Sequence, residues 1–193
     1  MASPTRVVLL TGAAEELGAA VAAAALDAGA KVAAVAARPW QVDRLRDQLG
    51  TERALPGLVP HGDAQAAAGF VKGAQDALGP ITDVVCASVR IVAARAGEEP
   101  GGDLEELLDV NLRANTTVVR AALPSLRRRA AGRLALAAWT DDLSRASATC
   151  RASLAAVDAF AVALRDDLSS AGVAVARISA TASAAQWLSQ EWR

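Results

Sequence analysis

Apolar runs alternate with amphipathic stretches along the whole chain. Arg6–Leu10 is apolar after its first residue and ends at Thr11-Gly12. Leu17–Ala28 is rich in alanine and reads as a helix that stops at Gly29. Lys31–Ala37 is a continuous apolar run, the pattern of a strand buried on both faces, and Pro39 breaks it. Val42–Leu49 carries charges at helical spacing and closes at Gly50. Leu58–Pro60 reads as a short strand and Gly62-Asp63 as a turn. Ala64–Leu78 reads as a helix with Phe70, Val71 and Leu78 on one side, and Thr82–Ala87 as a further strand.

Ile91–Gly102 is irregular, with Gly97, Pro100, Gly101 and Gly102 close together. A long fourth helix, Asp103–Arg129, starts on a capping aspartate, with Glu105 and Glu106 in its first turn and arginines in its last. Pro124 is expected to bend it. Arg133–Ala138 is a strand, Thr140–Ser144 a loop, and Ser147–Ser170 a long fifth helix ending at Gly172. Val173–Ser179 is the last strand, and Ser183–Arg193 a tail carrying Trp187 and Trp192. Six strands alternating with helices imply right-handed crossovers and a parallel sheet covered on both faces. The expected fold is a doubly wound, Rossmann-like α/β domain over residues 1–182, with residues 183–193 as a tail.

Composition narrows the chemistry. Apolar residues make up 53% of 193 but aromatics only 3%, so Ala, Val and Leu must fill the core. A net charge of -1 argues against a nucleic-acid surface, which needs a basic excess. Two cysteines and one histidine, His61, argue against a disulfide scaffold and against a metal site. The longest uncharged alanine-rich run, Leu17–Leu26, is about half of a membrane span, and no leader segment is visible, so a cytoplasmic protein is expected. Abundant Ala, with Arg far above Lys, points to a bacterial source with a GC-rich genome. There is no tyrosine, which excludes chemistry that needs a phenolic acid.

Thr11-Gly12-Ala13-Ala14-Glu15-Glu16-Leu17-Gly18 lies where the first strand turns into the first helix. Glycines there let the backbone approach a phosphate with its N–H groups. With this loop, the chain resembles the short-chain dehydrogenase/reductases from its first strand to its sixth. The family loop, Thr-Gly-x-x-x-Gly-x-Gly, is kept at Thr11, Gly12 and Gly18, with Glu16 at the middle glycine. Asp63 matches the family's acidic residue near the adenine. Asp109-Val110-Asn111-Leu112 matches the fourth-helix motif, whose Asn holds a water relay. Gly132-Arg133-Leu134-Ala135 matches the fifth strand, and Ala155-Ala156 through Asp167-Leu168 the helix that follows the catalytic motif.

The departures fall on the family's chemistry. Its Asn-Asn-Ala-Gly lands on Ala87-Ser88-Val89-Arg90, its catalytic Ser on Ala138 or Trp139, and its Pro-Gly on Ala180-Thr181. Tyr-x-x-x-Lys becomes Cys150-Arg151-Ala152-Ser153-Leu154, so Cys150 replaces Tyr and Leu154 replaces Lys. Against the family pattern, the substrate lid and last strand are expected to be missing or reduced. A thiol of reference pKa about 8.5 could serve as an acid, but Cys150 lacks the neighbouring ammonium and is shorter than a phenol. It reads as a small helix residue, and Asn111 as a structural relic with no relay downstream. A Glu16 carboxylate roughly 4–5 Å from a phosphate costs roughly 3–4 kcal/mol per charge at an effective dielectric of 20. No cofactor is therefore expected. If one binds, Gly12, Gly18, Arg38 and Asp63 would hold it, and Arg38 after the second strand would favour NADP. Trp139 reads as a plug in the vacant site or as a stacking surface, and the tail tryptophans as docking residues.

The fourth and fifth helices keep their apolar stripes, and Ala148, Ala152, Ala155, Ala156, Ala159 and Ala163 would permit close helix–helix approach. In the family these two helices pair subunits. The expected function is a catalytically degenerate, non-catalytic subunit. It would pair through helices Asp103–Arg129 and Ser147–Ser170 with an active NADP- or NAD-dependent relative, or with itself, and support it. The alternatives are a residual NADP(H)-dependent ketone or alcohol oxidoreductase, a repurposed catalyst, or a ligand sensor using the old cleft.

Overall fold

The computed structural model describes residues 5–95, 98, 103–128, 132–139 and 146–179, with the backbone alone for 103, 138, 139 and 179. Six parallel strands, β1 (Val7–Thr11), β2 (Lys31–Ala36), β3 (Ala54–Leu58), β4 (Asp83–Cys86), β5 (Arg133–Trp139) and β6 (Ala174–Ser179), lie in the order β3-β2-β1-β4-β5-β6. The chain thus leaves β1 toward β2 and β3, then returns to the other side of β1. This reversal opens a crevice beyond the carboxyl ends of β1 and β4.

Alternating side chains of the strands feed two cores. On one face Leu9, Ala33, Val84, Cys86 and Leu136 pack under helices α3 (Ala64–Leu78), α5 (Ala114–Arg127) and α6 (Ala148–Leu168). On the other, Val8, Leu10, Val32, Ala34, Val85 and Ala135 pack under α1 (Glu16–Asp27) and α2 (Pro39–Leu49). The expected doubly wound Rossmann-like sheet, with helices on both faces, is the fold observed. None of the described helices is long and apolar enough to cross a membrane.

Three boundaries differ from the sequence reading. β3 runs over Ala54–Leu58 rather than Leu58–Pro60. Its Pro56 and Gly57 depress any strand reading, yet β3 is an edge strand bonded only to β2, so the missing Pro56 N–H is tolerated there. Helix α2 begins at Pro39 itself, where a fixed φ suits the first helical residue, and the Gln41 side chain accepts from the Arg38 N–H at 3.0 Å. The long fourth helix is three pieces: α4 (Asp103–Leu107), a π-helical turn (Leu108–Arg113) and α5. The fifth helix of the sequence reading is therefore α6, capped by the Ser147 hydroxyl, which accepts from the Cys150 N–H. The tail, Ala180-Thr181 and the Thr140–Ser144 loop lie outside the described residues.

Asp83 locks the amino end of the sheet. It is buried at the start of β4 and pairs with Arg6, ahead of β1, at 3.0 Å and with Arg133 of β5. The Thr82 hydroxyl donates to it at 2.6 Å. Three strand starts thus meet on one carboxylate. Asp83→Ala strands two guanidinium groups, of which Arg6 can still reach water. It is expected to lower unfolding free energy by about 2–3 kcal/mol, short of a fully buried pair, as read by urea denaturation.

Candidate functional site

Thr11 ends β1 and organises the crevice. Its hydroxyl donates to Asn115 Oδ1 at 2.6 Å and accepts from the N–H groups of Ala87 (3.1 Å) and Ser88 (3.3 Å). Asn115 Nδ2 donates in turn to the carbonyls of Ser88 (2.9 Å) and Asn111 (2.8 Å). Gly12 follows at φ +64°, and a Cβ there would stand 2.5 Å from the Ala87 carbonyl oxygen. Gly18 lies in α1 with its α-carbon against the Gly12 carbonyl, where a Cβ would overlap that oxygen. Both positions accept only glycine, so the first turn of the crevice is tight by construction.

The crevice holds about 420 Å³, within the range of small-molecule sites. Its walls include Val35, Val59, Val89, Ile91 and Val110, and its polar groups include Glu15, Arg38, His61, Arg90 and Glu106. Trp40, 55% exposed at the start of α2, stands at the mouth. Arg90 is ion-paired with Glu106 across the crevice wall. Burial lowers the pKa of His61, the positive charge of Arg38 adds to this, and Asp109 opposes it.

Glu15, not Glu16, is the carboxylate in the crevice. Glu16 is exposed at the first residue of α1 and is absent from the walls, which corrects the expectation that it would face a phosphate. The reason is the turn itself: Gly12 to Glu15 closes with a Glu15 N–H to Gly12 carbonyl bond at 2.9 Å, which turns residue 15 inward. Glu15 is the N-cap of α1 but makes no capping bond to that helix. Its Oε2 instead accepts from the Val89 N–H at 3.2 Å. Burial pushes its carboxyl up to about 7, with the Val89 N–H pulling the other way.

Asn111 sits fully buried in the π-helical turn, a local form frequent at functional sites. Its Oδ1 accepts from the Arg90 N–H at 2.6 Å, and its Nδ2 donates to the Arg90 carbonyl at 3.0 Å and to Ser153 Oγ at 2.8 Å. Both amide hydrogens are therefore spent inside the protein. Cys150 is fully buried in α6 and its thiol points to the Arg90 carbonyl at 3.8 Å. Leu154 is buried one turn later, and Leu107, Ala146, Cys150 and Leu154 form a small core of their own under Val89 and Val92. Segment 89–93 is stitched over it: Ala93 bridges Ala146, and the Ser147 N–H donates to the Val92 carbonyl at 2.8 Å.

The predicted residues do not all converge. Gly12 and Arg38 line the crevice and Gly18 supports it from below. Asp63 is not among the wall residues and caps α3, accepting from the Ala66 N–H at 2.8 Å. Asn111, Cys150 and Leu154 come together, but beneath the loop after β4. The backbone of Ala138 and Trp139 ends β5, where pairing with β6 is irregular between Ala137 and Trp139. Their side chains, and so the expected plug, lie outside the described residues. Sequence reasoning missed Asn115, Glu15 and Trp40. The spacing of Asn111 and Asn115, one helical turn, was the available signal for Asn115. Among the described residues no three His, Cys, Asp or Glu side chains gather as a metal site.

A nicotinamide dinucleotide fits this crevice only in part. Arg38 suits its adenosine end and the tight glycine turn its phosphates, but Glu15 reaches into that same turn with an inward carboxyl. An ionised carboxylate about 5 Å from a phosphate costs about 3 kcal/mol per charge at an effective dielectric of 20. The phosphate end therefore does not match the group.

The family model for short chain dehydrogenases matches residues 6–192. A short chain dehydrogenase of Pseudocercospora fijiensis is 32% identical over 181 residues, covering 87% of this chain, and the chain spans 56% of that protein's length. An oxidoreductase of Staphylococcus aureus is 23% identical over 176 residues, covering 90% of this chain and 76% of that protein. Among solved structures, a short-chain type dehydrogenase/reductase from Mycobacterium marinum superposes with a TM-score of 0.79 at 22% identity, over 92% of this chain and 74% of that one. A short-chain dehydrogenase from Streptomyces avermitilis gives 0.77 at 22% identity, over 92% and 66%. At these identities the structural matches speak for the fold.

Glu15 makes stability depend on pH with a definite sign. Its carboxyl ionises at 4.5 by ordinary behaviour and at about 7 in the folded chain, so folding favours the protonated form. Its contribution is full below pH 4.5 and is lost as pH rises through about 7, by up to about 3 kcal/mol. Glu15→Gln is expected to be more stable than the parent at pH 8 by about 1–3 kcal/mol. The difference should shrink toward pH 5, as measured by urea unfolding at both.

Proposed function

We propose that this chain, which belongs to the short-chain dehydrogenase family, is a catalytically degenerate member that works as a non-catalytic subunit. The reading assigns it to a pair with an active relative, or with a second copy, formed through α4, the π-helical turn and α5 on one side and α6 on the other. Its role is to support the partner. The active partner would carry the NADP- or NAD-dependent ketone or alcohol chemistry that the family resemblance implies.

One observation carries this reading. Cys150 and Leu154, at the positions of the family's Tyr and Lys, are buried in a small apolar core that segment 89–93 covers. Proton transfer needs an acid within hydrogen-bond reach of the reacting oxygen. Neither residue is among the crevice walls. Asn111 supports the same conclusion, because its amide hydrogens end on Arg90 and Ser153.

The outer face of α6 supports the pairing. Ala148, Ala152, Ala155, Ala159 and Ala163 are exposed along it, while Cys150, Leu154, Val157, Ala161, Leu164 and Leu168 point inward. Leu104 of α4 is also exposed. Small side chains let a second helix approach closely.

Two measurements test the reading. The purified chain is expected to oxidise no NADPH with a panel of ketones, and to elute as a dimer or together with a family member that retains Tyr-x-x-x-Lys. Ala155→Glu with Ala159→Arg is expected to abolish that association without lowering Tm. A chain that turns over alone, or stays monomeric and recovers no such relative, overturns the proposal. Leu154→Lys, which would insert an ammonium into the sealed core, is expected to cost about 4 kcal/mol of stability at pH 7, read by thermal unfolding.

A further inference from the structure

We infer that Glu15 sets the ligand class of the crevice: it admits a phosphate-free, flat ring system bearing N–H donors and turns away phosphate-bearing dinucleotides. The inference stands apart from the pairing reading, since neither association nor turnover enters its test.

Three features of the crevice argue for it. The first is the direction of the Glu15 side chain. An N-cap side chain ordinarily satisfies its own helix; this one reaches to the Val89 N–H and leaves the first turn of α1 uncapped. The place where a helix N-terminus would meet an anion is thus shared with a carboxyl. The second is the state of its oxygens. Oε2 is taken by Val89, while Oε1 has no partner among the described residues. An unsatisfied acceptor in a half-buried wall recruits a donor, and a ligand N–H is the group that fits.

The third feature is the rest of the wall. Val35, Val59, Val89, Ile91 and Val110 are apolar, and Trp40 offers an exposed indole at the mouth for stacking. The other charged or titratable groups in the crevice are Arg38 and His61 at the ends of β2 and β3, and Arg90 and Glu106, which are paired with each other. His61 is held toward its neutral form. Among the crevice walls Arg38 alone is a cation without a carboxylate partner, and it is exposed, beyond the end of β2 rather than on the glycine turn that follows β1. A ring with a donor at Glu15 and a face on Trp40 uses what the crevice provides; a pyrophosphate does not.

Adenosine and ADP-ribose separate these cases: they share one ring, and ADP-ribose adds a pyrophosphate that stays ionised between pH 6 and 8 and a neutral second ribose, so that a response to pH or to Glu15→Gln reports on the pyrophosphate. Isothermal titration of the purified chain at pH 8 is expected to give adenosine a Kd at least tenfold lower than ADP-ribose. Glu15→Gln is expected to move that ratio at least tenfold toward ADP-ribose. Lowering the pH to 6 with the unaltered chain is expected to move it the same way, which keeps the test alive if the variant does not fold. Trp40→Ala is expected to weaken adenosine at least fivefold. ADP-ribose binding as tight as adenosine at pH 8, no binding of either at millimolar concentration, or a ratio unmoved by both Glu15→Gln and pH overturns the inference. Adenosine binding undiminished in Trp40→Ala overturns the ring contact.

Discussion

The Asn111 amide holds the functional half of this molecule in its present form. It accepts from the Arg90 N–H and donates to the Arg90 carbonyl, so it grips one residue of the loop after β4 from both sides. The grip is buried, where hydrogen bonds are strong and unmade ones expensive. Because Arg90 is fixed, Val89 is fixed beside it, and its N–H holds the Glu15 carboxyl that the turn directs inward. Because Arg90 is fixed, Val89 and Val92 also lie over Cys150 and Leu154. The shape of the crevice and the sealing of the neighbouring core are two consequences of one clamp. The third bond, from Asn111 Nδ2 to Ser153, ties the clamp to α6.

The sheet supplies the frame within which this clamp acts. Parallel strands place the carboxyl ends of β1 and β4 side by side, with Thr11 opposite Cys86 in register. The Thr11 hydroxyl then joins the last residue of β1 to the two residues that follow β4 and to Asn115 of α5. Every hydrogen-bonding partner in that cluster is supplied by the protein, so the floor of the crevice is rigid and closed. What remains adjustable lies above it, in side chains such as Glu15 and Trp40. Ligand preference can therefore change by substitution there without disturbing the fold.

Legibility in the sequence followed the strength of the local physical signal. The Ala64–Leu78 helix and the β2 and β5 runs announce themselves by period and by continuous burial, and the structure keeps them within a residue or so. The edge strand β3 was displaced, because Pro56 and Gly57 weaken the local pattern while pairing to β2 fixes the strand from outside. The alignment of the glycine turn located the right loop but assigned its carboxylate to the wrong neighbour. Which of Glu15 and Glu16 faces inward depends on how the turn closes, through the bond from the Glu15 N–H to the Gly12 carbonyl, and not on residue type. Asp63 was read as a ligand contact, were a cofactor bound, because of its place after the third strand; in the structure one of its oxygens caps α3. The sealing of Cys150 was invisible for a similar reason, since it depends on segment 89–93, whose sequence has no regular pattern.

Helix geometry separates the two halves of the proposed role. Along α6, Cys150, Leu154, Val157, Ala161, Leu164 and Leu168 recur at three- and four-residue steps and share the buried stripe. The alanines at 148, 152, 155, 159 and 163 recur at the same steps on the opposite stripe. A substitution at the inner stripe changes what the helix presents to the crevice and the loop after β4, while the outer stripe is left as it was. The same helix can therefore lose a proton-transfer pair and keep a surface suited to a neighbour. On the proposed reading, an acid and an amine placed at positions 150 and 154 would not supply chemistry by themselves, because Val89, Val92 and Leu107 pack against those positions. The loop, held by Asn111, would have to lift first.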